Sequence, residues 1–172
     1  MTDYYTPTVI DPVIPIAAIL PIERLFLAAV FSQELTSADA YYYSDEGAAD
    51  LIFLEAEAVR TALDGASAET GSLARKLLDE HREAILGDQE IELDMCGELW
   101  PGVLQNIVRR SPDLDHLTVT MAFTCSKMGP DGFGGLAMMI TADAVRSESM
   151  HTLFDRFYTE ARANGEISHG NS

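Results

Sequence analysis

Apolar residues change their spacing several times along this chain, and each change predicts an element. From Pro21 they recur at helical intervals: Ile22, Leu25, Phe26, Ala29 and Val30 share one face, so residues 21–32 are predicted as a helix. Pro21 suits a first turn, where its missing N–H costs nothing, and Glu23 complements the positive end of the helix dipole. Ser32 to Asp39 reads as a polar break. Ala40-Tyr41-Tyr42-Tyr43 then has the aromatic content of a short strand, closed by the turn-forming Ser44-Asp45-Glu46-Gly47. Leu51 to Leu54 is compatible with a buried strand, while Ala56, Val59, Arg60 and Leu63 read as a short helix ending before Asp64-Gly65. Thr70 or Ser72 can cap the next helix, whose face is Leu73, Leu77, His81, Ala84 and Ile85 and which stops at Gly87.

Two later segments have the period of a strand. Glu90-Ile91-Glu92-Leu93-Asp94-Met95 alternates without exception, placing three carboxylates on one side and three apolar side chains on the other. Leu117, Val119, Met121, Phe123 and Cys125 alternate with Thr118, Thr120, Ala122, Thr124 and Ser126; after the turn Gly129-Pro130-Asp131-Gly132, Phe133 to Thr141 returns as the second arm of a β-hairpin. Leu136 to Ile140 is apolar on both faces, which predicts an internal strand. Between these segments Pro101 opens a helix on Val103, Leu104, Ile107 and Val108, ending at Ser111-Pro112-Asp113 with Arg109 and Arg110 in its last turn. Ser147 or Ser149 can cap a final helix that turns Met150, Leu153, Phe154, Phe157 and Ala161 inward and stops at Asn164-Gly165.

The elements come in mixed order, with no repeat and no low-complexity linker. The pattern predicts one α+β domain over residues 1–166, a mainly antiparallel sheet with several helices packed on it. The proline-rich start predicts an extended arm over about residues 1–19, lying as an edge strand or across the core, and residues 167–172 are expected to be a loose tail.

Composition narrows the functional classes. With 172 residues, 47% of them hydrophobic, the chain can bury a core without staples. Its two cysteines, Cys96 and Cys125, are too far apart in sequence for a metal knuckle or redox pair, so a reducing, cytoplasmic setting is expected. The apolar stretch from Val9 to Phe31 is broken by Asp11, Pro12, Pro15, Pro21, Glu23 and Arg24, and no run reaches the roughly 18 residues of a membrane span. A basic leader is also lacking, so neither a membrane association nor a secretory signal is predicted. The net charge of −17 is unevenly placed: residues 1–100 hold 20 acidic and 5 basic side chains, the remainder 8 and 6. Such a field repels nucleic acid, excluding direct binding to it, and attracts basic proteins, although acidity also serves solubility alone.

The densest acidic stretch is Asp79, Glu80, Glu83, Asp88, Glu90, Glu92, Asp94 and Glu98, with Arg82 the one cation among them. On a strand, Glu90, Glu92 and Asp94 stand roughly 6–7 Å apart, close to the phosphate spacing of a nucleic-acid strand. The expected role is docking of a basic protein partner by Asp79, Glu80, Glu83, Glu90, Glu92 and Asp94, in one form as a nucleic-acid mimic that inhibits its target. The competing reading is a solvated strand face kept from edge pairing by its charge.

A second candidate is a small-ligand or enzyme pocket using Asp113, Asp115 and His116 with Cys96, where polar groups collect at a strand end; there the bland reading is a turn of locally bonded aspartates. Glu148, His151 and Asp155 have one-face helical spacing but read as surface ion pairs, because no second cluster completes a metal site. Gly129 to Gly135 lacks the lysine and hydroxyl of a phosphate loop, and Asp131-Gly132 lacks the spaced ligands of a calcium loop, so no cofactor or metal is called for. Trp100, Tyr4, Tyr5, the Tyr41–Tyr43 run, Met138 and Met139 either fill the core or form a contact surface, and the latter leaves a structural homodimer open.

Overall fold

In the computed structural model, residues 3–64, 72–95, 99–127, 129 and 132–167 are described. Ten strands and six α-helices run in the order β1 (Tyr4–Tyr5), β2 (Thr8–Asp11), β3 (Ile14–Pro15), α1 (Pro21–Val30), β4 (Ser32–Leu35), β5 (Asp39–Ser44), β6 (Leu51–Leu54), α2 (Ala56–Asp64), α3 (Leu73–Asp79), α4 (Arg82–Leu86), β7 (Ile91–Asp94), α5 (Leu99–Arg110), β8 (His116–Cys125), β9 (Gly134–Thr141), β10 (Val145–Ser149) and α6 (Met150–Ala163) among the described residues. This is the α+β class that the mixed spacing predicts.

The main sheet is antiparallel and follows β10-β9-β8-β2-β5, with β1 continuing the line of β2 along β8. Tyr43 pairs with Val9 on one edge of β5 and with Ser32 on the other, so β4 lies outside β5 and forms one border of the sheet. β10 forms the other. Of the extended start, β2 lies inside the sheet between β5 and β8, with Thr8 and Ile10 buried, whereas among the described strands β1 pairs with β8 alone and β3, which contains Pro15, with β5 alone, the edge placement that a proline suits. The predicted hairpin is present, from His116↔Thr141 to Phe123↔Gly134, and β9 is internal as its two apolar faces require. Its turn includes residues 128, 130 and 131, outside the described residues.

The polar break after α1 is strand β4, and the segment read as the cap of the last helix is strand β10. Both are border strands with polar side chains, which suits an edge and hides the strand period. Ser149 does cap α6, its hydroxyl accepting from the Thr152 N–H at 3.1 Å. The helix predicted from Leu73 to Ile85 is broken at Glu80-His81 into α3 and α4; the His81 N–H turns back to the Leu78 carbonyl, a tighter closure than an α-helix makes. The Thr70 cap falls outside the described residues.

One face of the sheet carries the core. Ile10, Ala40, Tyr42, Leu117, Val119 and Ile140 meet Phe26, Leu27 and Val30 of α1 and Val103, Leu104 and Ile107 of α5, all at most 3% exposed. Trp100 meets Phe31 edge-on at 5.3 Å between ring centres. Beyond α1, β6 and β7 form a separate two-stranded ribbon whose inner side chains Ile52, Leu54, Ile91 and Leu93 close the same core.

Among the described residues, one charge enters this core. Glu23 is fully buried, although its place in the first turn of α1 suggested only a dipole role. Its carboxylate accepts from both terminal nitrogens of Arg110 at 2.9 and 2.5 Å, from the Ser72 hydroxyl at 3.0 Å and from the Leu20 N–H at 3.1 Å. Arg110 also donates to the Ala18 carbonyl at 3.2 Å, so it bonds specific partners as well as ending α5. Arg109 donates to the Ala142 carbonyl at 2.6 Å.

The final helix departs from expectation. None of its side chains is buried, and Met150, Phe154, Phe157 and Tyr158 are 44%, 59%, 50% and 39% exposed. Its main packing is on β9 and β10, which it reaches through its first turns, so the stripe predicted to face inward is left open beyond them.

Candidate interaction surface

The alternation of residues 90–95 has the consequence it predicts: Glu90, Glu92 and Asp94 are exposed, whereas Ile91, Leu93 and Met95 are 1%, 4% and 2% exposed. The antiparallel register adds a feature that the local sequence does not carry. Phe53 stands opposite Glu92 and Leu51 opposite Asp94, and these two side chains are 51% and 45% exposed. Cross-strand partners share a face, so the outer side of the ribbon is a leucine and a phenylalanine beside a row of carboxylates.

The other acidic candidates stand on a different element. Asp79 ends α3, Glu80 forms the corner and Glu83 opens α4, all exposed. The structure thus separates the six residues into a strand row and a helical corner. Asp88, next to the row, is bound by Arg60 of α2, which also donates to the Ile85 carbonyl at 2.7 Å. That cation lies far away in sequence, so the stretch is less bare of positive charge than it reads. Glu98 lies outside the described residues.

Three residues of the second candidate site are described. Asp113, Asp115 and His116 are exposed around the buried anchor Leu114, and Cys96 lies outside the described residues. Asp113 borders a cleft of about 700 Å³ with Pro15, Leu20, Arg110 and Pro112, and its N–H is taken by the Ser111 hydroxyl at 3.3 Å, so the local turn bond comes from a serine. Among the described residues no three His, Cys, Asp or Glu side chains converge to hold a metal ion. Glu148 stands on β10 and not on the helix, and pairs with Arg156 at 2.8 Å; only His151 with Asp155, at 3.6 Å, makes the one-turn surface pair that helical spacing suggests. Cys125 is half-buried near the end of β8, its sulfur 3.4 Å from the Lys127 N–H.

Sequence reasoning did not find the cleft between α1 and α2. It holds about 850 Å³ and is lined by Ile19, Leu25, Ala58 and Ala62, with Arg24, Gln33, Glu55, Glu57 and Thr61 as polar residues. Gln33 Oε1 is buried without a hydrogen-bond partner. Of the aromatic candidates, Trp100 and Tyr42 are core residues; Tyr41 and Tyr43 stack on each other at 5.4 Å, and Tyr4 is 70% exposed.

No helix among the described residues is long and apolar enough to cross a membrane. No protein-family model, curated protein or solved structure matches the chain.

Proposed function

We propose that this is an interaction protein that docks a basic, partly apolar segment of a protein partner on the outer face of the β6–β7 ribbon. The observation that carries the reading is the pairing of exposed Phe53 and Leu51 with Glu92 and Asp94 on one face. The carboxylates attract lysine and arginine, and the ring and isobutyl group reward apolar side chains between those cations. Occupation of a nucleic-acid-binding groove is a narrower form of the same reading, in which the row of Glu90, Glu92 and Asp94 follows the phosphate path.

Labelled peptides alternating Arg or Lys with Leu, and matched peptides alternating with Ser, test the proposal by fluorescence anisotropy at low and high salt. The Arg/Leu peptide is expected to bind, to weaken as salt rises, and to lose about tenfold or more in affinity for each of Glu92→Lys and Phe53→Ser. No binding, or binding indifferent to both substitutions, refutes it. Purification of the protein from its own cell at low salt, followed by a salt gradient, then identifies the partner, which must lose its hold on the Glu90/Glu92/Asp94 charge-reversed chain.

A further inference from the structure

We infer that α6 is a self-association surface, through which a second copy of this chain covers the stripe Met150, Leu153, Phe154, Phe157, Tyr158 and Ala161. These positions fall within one arc of the helix, the 3–4 spacing of a packed face. Met150 and Leu153 lean on the sheet beside Gly135 and Ala122, and Met150 Sδ lies 3.5 Å from where a Gly135 side chain would begin. From Phe154 onward the stripe is open, and no side chain of the helix is buried.

Area and charge identify the occupant. A free aromatic or methionine side chain presents roughly 200 Å², so the exposed fractions of Met150, Phe154, Phe157 and Tyr158 leave about 400 Å² of apolar surface open on each copy. Two copies joined about a two-fold axis would cover about 800 Å² of it, and the flanking polar side chains bring the total near the 1,200 Å² at which specific interfaces begin. In such a pairing every patch meets itself, so a net-charged patch would repel its own copy. Over β10 and α6, Arg146, Arg156 and Arg162 balance Glu148, Asp155 and Glu160, so this patch is neutral in a chain of net charge −17. A basic partner has nothing to prefer here, and an anionic bilayer would require an excess of lysine or arginine on the polar face. Tyr41 and Tyr43, on the aromatic strand through which a homodimer was left open, are half-buried and already stacked on each other, which leaves them less surface to offer.

Sedimentation equilibrium of the full chain over a wide concentration range, at about 50 mM and about 500 mM NaCl, tests this. The neutral patch drives association while the acidic remainder opposes it, so the dimer is expected to tighten as salt screens the two bodies, the reverse of the salt dependence proposed for the ribbon. Phe154→Glu and Phe157→Glu should each weaken it at least about tenfold, with the fluorescence of buried Trp100 unchanged because α6 contributes no buried side chain. Tyr158→Glu is the second position should either variant fail to fold. A wild-type chain that remains monomeric throughout overturns the inference, as does a dimer indifferent to these substitutions or a helix that binds anionic vesicles in preference to its own copy.

Discussion

Replacement of Arg110 by methionine tests the buried charge of Glu23. The substitution keeps most of the aliphatic stem and removes the guanidinium, leaving Glu23 fully buried with the Ser72 hydroxyl and the Leu20 N–H as its remaining hydrogen-bond donors. Removing one partner of a buried pair costs about 3–5 kcal/mol, because the surviving charge keeps its desolvation penalty and loses its compensation. The Arg110 side chain is 28% exposed, so water already screens one end of the pair and the lower figure, about 3 kcal/mol, applies. For a chain of this length that is a fall in Tm of about 6–12 °C. Arg110→Lys should cost nearly as much, since an ammonium cannot make the two parallel bonds to Oε1 and Oε2 or reach the Ala18 carbonyl in the same geometry.

Thermal and urea unfolding followed by far-UV circular dichroism and by the single tryptophan, buried against Phe31, give the Tm and two probes whose agreement also tests two-state behaviour. The combined variant Glu23→Gln/Arg110→Met separates charge from packing. Glutamine carries no charge and keeps an oxygen to accept from the Leu20 N–H while its amide N–H donates to the Ser72 hydroxyl, so the double variant should be more stable than Arg110→Met alone. If Arg110→Met shifts Tm by less than about 2 °C, or if the double variant loses the sum of the two single losses, Glu23 is not relying on Arg110 and the reasoning fails.

Burial pushes the Tyr42 phenol up to about 12, with Glu23 adding in the same direction and Arg24 opposing. Because the unfolded chain gives up this proton near pH 10, stability is full below about pH 10 and falls by about 2–3 kcal/mol as the pH rises toward 12; Tyr42→Phe should remove that component from a urea titration repeated across this range. The Tyr42 hydroxyl is buried without a partner, so the same variant at pH 7 should be neutral or more stable by about 1 kcal/mol, and a loss above that size would indicate a missing bond. Gly135→Ala brings a Cβ within 2.9 Å of the Met121 carbonyl oxygen and should cost about 1–3 kcal/mol, whereas Gly134→Ala meets only the movable Phe123 ring at 3.3 Å and should cost less; equal urea midpoints would contradict the close approach.

The sequence was legible where one side-chain period ran unopposed. The β8–β9 hairpin, the core faces of α1 and α5 and the carboxylate row of β7 each follow from residues within a few positions of one another. β4, with Ser32, Gln33 and Glu34, and β10, with Arg146, Ser147 and Glu148, were not legible as strands, because a border strand bonded on one side and wet on the other has no apolar alternation to display. Glu23 looked like a surface dipole group since its partner Arg110 is separated by 87 positions. The candidate site divides in the same way. Its acidic half was visible as a local pattern, while Phe53 and Leu51 joined it through a register between strands about forty residues apart that no local spacing encodes.

The same limit explains α6. An amphipathic stripe reports that burial of one face stabilises the helix, and a core and a partner satisfy that requirement equally. For α5 the stripe is met inside the chain, where Val103, Leu104 and Ile107 are fully buried. For α6 the stripe outreaches the sheet: the helix follows the border strand β10, its first turns reach the sheet, and among the described residues the rings of Phe154, Phe157 and Tyr158 stay exposed beyond it. What differs between the two helices is position in the topology, not pattern, and charge then narrows the choice of cover. A stripe on a neutral patch at the border of a strongly acidic chain is satisfied best by another copy of itself.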